Sequence, residues 1–86
     1  MSKKVIVLRG SEDGNIGVYS NFKAAHKAAV KYLSHNFTSK IQNGMGSYPK
    51  AVKEFKKRNW LMIESFDSED FYTVTVEFDT FYVKSK

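Results

Sequence analysis

Two rows of lysine are the residues best placed to do chemistry in this chain. Lys23, Lys27 and Lys31 recur every four residues; Lys50, Lys53 and Lys57 nearly repeat that spacing, with Lys56 and Arg58 beside them. At about 100° per residue, each row falls on one side of a helix. Like charges at i and i+4 disfavour a helix by roughly 0.2–0.5 kcal/mol per pair. Glu54 is the only acid within either row, so the repulsion calls for a reason. A line of cations is what a phosphate backbone requires. The same line also fits the solvated outer face of a surface helix, or a surface for an acidic protein. Trp60 directly follows Lys56-Lys57-Arg58-Asn59, where a ring can stack on a base beside those charges. The expected nucleic-acid-binding residues are therefore Lys23, Lys27, Lys31, Lys50, Lys53, Lys57, Arg58 and Trp60.

Charge is divided along the chain. Residues 1–60 carry twelve Lys/Arg against three acids, a net +9, and residues 61–86 carry two against six, a net −4; the total is +5. Such segregation makes a polar molecule with one face attractive to polyanions. It points to a binding protein more than to an enzyme. The acids Glu64, Asp67, Glu69, Asp70, Glu77 and Asp79 form a second surface, open to a basic partner.

The other reactive residue types form no catalytic or metal constellation. Cysteine is absent, which removes thiol nucleophiles, disulfides and Cys-based zinc sites. His26 and His35 are nine residues apart, on opposite sides of a helical wheel, so they make no i, i+4 metal pair. His26 reads as a hydrogen-bonded residue at the edge of the core. Gly44-Met45-Gly46-Ser47-Tyr48-Pro49-Lys50 resembles an anion-binding entry to a helix, but neither G-x-x-x-x-G-K-[ST] nor G-x-G-x-x-G is present. A flexible connector is the expectation there. D-S-E-D at residues 67–70 lacks the length and glycine of a calcium loop. No enzyme, metal or cofactor is expected.

The positioning elements follow from periodicity. Val5-Ile6-Val7-Leu8 reads as a central strand buried on both faces. Asp13-Gly14 signals a two-residue type I′ hairpin leading into Ile16–Tyr19. Ser20 or Asn21 caps a helix from Phe22 to about Asn36, with Phe22, Ala25, His26, Ala29, Val30, Leu33 and Phe37 on its apolar side. A loop spans Thr38–Tyr48. Pro49 starts a second helix that Asn59 ends. Trp60–Ile63 opens a third strand, residues 67–70 form a turn, and Tyr72, Val74, Val76 and Phe78 alternate with polar residues. Phe81 and Val83 break the phase, which predicts a bulge near Asp79-Thr80.

These elements give one domain over residues 1–86. The fold class is α+β: a two-layer sandwich in the order β-β-α-α-β-β, with a four-stranded, mainly antiparallel sheet and two helices on one face. The other sheet face is left partly open, which admits a homodimer. The basic start of the chain is too short in apolar residues for a signal peptide, no segment has the ~20 apolar residues of a membrane span, and a cytoplasmic protein is expected.

The stretch V-I-V-L-R-G…D-G-N-I-G-V-Y-S-N-F-K-A-A, residues 5–25, resembles the start of many small accessory proteins of tailed bacteriophages. The resemblance implies an early-expressed protein, often one that binds a host factor in the bacterial cytoplasm. It covers roughly a quarter of the chain and transfers no functional residue. Two functional expectations stand: a non-enzymatic protein whose basic two-helix face contacts nucleic acid backbone with little sequence preference, or a phage-encoded inhibitor or adaptor acting on an acidic host protein.

Overall fold

The computed structural model describes residues 2–37 and 39–84. Along the chain come β1 (Ser2–Gly10), β2 (Gly14–Tyr19), α1 (Phe22–Asn36), β3 (Ser39–Ile41), α2 (Tyr48–Arg58), β4 (Trp60–Asp67) and β5 (Tyr72–Lys84). The strands form one antiparallel sheet in the order β2-β1-β5-β4-β3. The sheet therefore has five strands rather than four. The added strand, β3, lies inside the expected loop and pairs Ser39, Lys40 and Ile41 with Asp67, Phe66 and Ser65. Three residues are too few to display alternation, so β4 alone makes this segment a strand. Thr38, at the start of that expected loop, lies outside the described residues.

Both helices cover one sheet face. Ile6 and Leu8 of β1, Leu61 and Ile63 of β4, and Val74, Val76 and Phe78 of β5 form the floor of a single core. Phe22, Ala25, Ala29 and Leu33 of α1, and Ala51 and Phe55 of α2, close it from above. Phe22 is its keystone, stacked on Phe55 at 4.5 Å between ring centroids and tilted over Phe78 at 5.2 Å. Each fully buried side chain of this size contributes roughly 1.5–3 kcal/mol by leaving water. Among the described residues, no helix is long and apolar enough to cross a membrane.

Helix ends follow the sequence signals. The Asn21 side chain accepts a hydrogen bond from the Ala24 amide at 2.8 Å, and Asn59 closes α2 in the left-handed conformation, φ 53°. Helix α2 begins with Tyr48, one residue before the expected Pro49, with Ser47 as its N-cap residue.

Three strand details differ from expectation. Val5 and Val7 are half-buried on the face away from the helices, so β1 is buried on one side only. Gly10 pairs with Gly14 across the three-residue loop Ser11–Asp13, and only Gly14 takes a positive φ, +71°. A type I′ turn would need a positive φ at Asp13 as well. The register shift lies between Leu8 and Arg9 opposite β2, not at Asp79-Thr80. β5 keeps one continuous register from Tyr72 to Lys84. Its apolar residues change face because the helical cover runs out, leaving Phe81 and Val83 exposed on the open side. Ahead of Gly44, Asn43 donates to the Met62 carbonyl at 2.8 Å and accepts from the Met45 amide at 3.2 Å.

Candidate functional site

The α1 lysine row stands over a groove. Asn21 fixes the start of the helix, and the burial of Phe22, Ala25, Ala29 and Leu33 fixes its rotation. Lys23, Lys27 and Lys31 are then forced onto one exposed flank. With Val30, Ser34, His26, Tyr48 and Gly46 they line a groove of about 510 Å³. No acid lines it. Successive lysines of the row are about 6 Å apart along the helix axis.

His26 holds the far wall in place. Its Nε2 lies 2.8 Å from the Met45 carbonyl oxygen. A carbonyl only accepts, so Nε2 carries the proton. His26 also meets the Tyr48 ring edge-on at 5.6 Å between centroids. It is 5% exposed and acts as the expected core-edge histidine, tying the connector to α1.

The α2 row is disposed differently. Lys50, Lys53 and Lys57 are all exposed, but none lines the α1 groove. On the helical wheel they lie away from Tyr48 and Phe55, the residues that turn toward α1. Lys57 pairs with Glu54 at 3.2 Å, which removes part of that row's field. Arg58 and Trp60 do come together: with Glu54, Asn43, Met45, Leu61 and Met62 they line a separate cleft of about 150 Å³. Trp60 is half-buried there. Lys56, Lys57 and Arg58 occupy the last helical turn, where the helix dipole favours cations by roughly 0.3–1 kcal/mol each. The eight expected residues thus form two groups, one along α1 and one around α2, rather than one merged plane.

The uncovered sheet face has a different character. At its centre Arg9 donates to Asp79, with Nε at 3.1 Å, and lies 3.7 Å from Glu77. The hydrogen bond to Asp79, and then its charge, push the Arg9 guanidinium further up. Glu64 lies on the same face, displaced by one row from Glu77. These carboxylates repel phosphate. The Arg9–Asp79 pair escapes sequence reading because it depends on β1 pairing with β5, the two strands furthest apart in the chain.

A third region is acidic. The loop at Ser11–Asp13 lies against β5, with the Ser11 amide donating to the Thr75 carbonyl at 2.9 Å. Beyond it, the Asp67 side chain accepts from the Glu69 and Asp70 amides at 2.9 and 3.3 Å and shapes the next turn. Burial, followed by the charges of Glu12, Asp67, Asp70 and Asp13, pushes the Tyr72 hydroxyl up. Phe71 stands at this tip, 78% exposed and at φ +55°.

Comparison of the chain with protein-family models, with curated proteins and with solved structures gives no match.

Proposed function

We propose that the protein is a non-enzymatic binding module that holds nucleic acid backbone along α1, with little regard to sequence. The observation that carries this reading is the acid-free groove whose wall is Lys23, Lys27 and Lys31 and whose floor includes Val30 and Tyr48. Cations set in line over a partly apolar floor fit a chain of phosphates with attached rings. The acidic open face favours the same orientation by repelling the ligand from the other side of the molecule. About three phosphate contacts imply a log–log salt slope of roughly −2 to −3.

Fluorescence anisotropy with labelled DNA and RNA across a salt series tests this. Lys27→Glu/Lys31→Glu is expected to abolish binding near ~50 mM salt, where exposed charges act at longest range. Lys53→Glu is expected to weaken it less. No binding by the wild type at that salt overturns the reading.

A second reading, an inhibitor or adaptor acting on a protein of a bacterial host, is favoured by Phe71, a large ring held out in water on an acidic tip. At this tip it predicts a basic partner, in place of the acidic one that the lysine rows led us to expect, whose capture is lost with Phe71→Ser and is indifferent to Lys27→Glu. The resemblance to phage accessory proteins and a cytoplasmic site of action belong to this reading.

A further inference from the structure

Strand register sorts the side chains of the uncovered sheet face. Ile6, Leu8, Val76 and Phe78 are buried beneath the helices, so the residues alternating with them face the other way. On β1 these are Lys3, Val5, Val7 and Arg9. Lys3 pairs with Val83, Val5 with Phe81, Val7 with both Asp79 and Val18, and Arg9 with Glu77. Directly paired residues share a face, so all of these lie on the open side.

One part of this face is apolar. Val5, Val7, Val18, Phe81 and Val83 form a block across β2, β1 and β5. Val18, Phe81 and Val83 are 64%, 48% and 52% exposed, and Val5 and Val7 are half-buried. A single exposed apolar residue is normal, but a contiguous group on one face marks a contact surface.

The two ends of the block differ in charge. Lys3 stands at one end, exposed. At the other, Arg9 donates to Asp79, with Nε at 3.1 Å, and lies 3.7 Å from Glu77. One guanidinium there faces two carboxylates, which leaves one negative charge over.

We propose that this face is the interface of a symmetric dimer, its occupant a second copy of the chain. A two-fold axis crossing β1 and β5 at the level of Thr80–Phe81 lays the apolar block of each copy on that of the other. The same axis brings Lys3 of each copy to Asp79 and Glu77 of the other, so that two cations meet two carboxylates. This charge order selects the occupant. A polyanion is repelled by Asp79 and Glu77, and a uniformly basic surface by Lys3. A surface with the same two ends, reversed, matches both.

The area agrees with a weak dimer. With strands ~4.8 Å apart and same-face neighbours ~6.8 Å apart along a strand, the region from Lys3 to Glu77 covers roughly 400 Å² in plan. Side-chain relief enlarges this, and two copies together approach the ~1,200 Å² at which stable interfaces begin. A dissociation constant of about 1–100 μM follows. The inference does not depend on the nucleic-acid reading, because α1 and α2 lie on the opposite side of the sheet and stay free in the dimer.

Sedimentation equilibrium from ~1 μM to ~1 mM protein brackets that constant and tests the proposal. The wild type is expected to pass from monomer to dimer over this range. Phe81→Ser/Val83→Ser is expected to weaken association about tenfold or more. Lys3→Glu and Glu77→Lys are each expected to weaken it, and the two together to restore it, because each end then regains two charges of either sign. A wild type that stays monomeric throughout overturns the proposal. A dimer untouched by Phe81→Ser/Val83→Ser overturns the assignment to this face. A double charge variant no tighter than either single one overturns the two-fold arrangement. Should the β5 variant fail to fold, Val18→Lys, on the exposed edge of the same block, carries the same comparison.

Discussion

The Tyr32 hydroxyl donates to the Asp13 carboxylate, fastening the middle of α1 to the tip of the first hairpin. Burial, then the hydrogen bond and charge of Asp13, push this phenol up to about 12. A proton held more tightly in the folded state stabilises the fold below the unfolded pKa near ~10. That contribution is lost as pH rises from about 10 through 12. Tyr32→Phe is expected to lower stability at neutral pH by about 1 kcal/mol. It is also expected to flatten the fall of stability above pH ~10. Urea unfolding at neutral and alkaline pH reads both effects, and an unchanged alkaline slope would contradict them.

His26 fastens the groove's far wall through the Met45 carbonyl. His26→Leu leaves that half-buried acceptor without its donor, with an expected loss of about 1–3 kcal/mol. His26→Gln keeps a donor and should recover part of it. The two unfolding midpoints decide the matter: equal losses would show that ring packing, not the hydrogen bond, is what matters.

Asn59 ends α2 at φ 53° and receives both Lys4 and Thr80. A Cβ-bearing residue without a short polar side chain is strained there by about 1–2 kcal/mol. Asn59→Ala is expected to lose about that much, and Asn59→Gly to stay within about 0.5 kcal/mol of wild type. The check is denaturant midpoint at constant m-value.

Phe71 adopts the same left-handed region, φ +55°, with its ring edge-on to Phe66 at 6.4 Å. Phe71→Gly relieves about 1–2 kcal/mol of backbone strain. Glycine's chain entropy offsets about 0.5–1 kcal/mol, and the lost ring pair about 0.5 kcal/mol. A gain of about 0.5 kcal/mol is expected from thermal or urea unfolding. A loss above about 1 kcal/mol would mean that the ring supports the fold.

Local signals were the legible part of this molecule. Asn21, Asn59 and the apolar faces of Phe22–Asn36 and Tyr48–Arg58 are visible as caps and 3.6-residue periods, because a helix end or face needs only its neighbours. Register was the hidden part. Phe81 and Val83 read as a slip in alternation, but β5 never slips; their side is set by where the helices stop. The lysine rows were legible one at a time. Their separation depends on the Phe22–Phe55 stack, which joins helices whose first residues are far apart in sequence.

The pairing of β1 with β5 also has a consequence for the birth of the molecule. The first hairpin and α1 are complete early in synthesis, yet the second edge of β1 finds no partner until β5 has left the ribosome. At roughly 5–20 residues per second, that wait is several seconds. Throughout it, an apolar strand edge is open to any other extended chain. Closing the sheet therefore waits on long-range contacts, and a nascent chain stalled before Tyr72 is the form most exposed to aggregation.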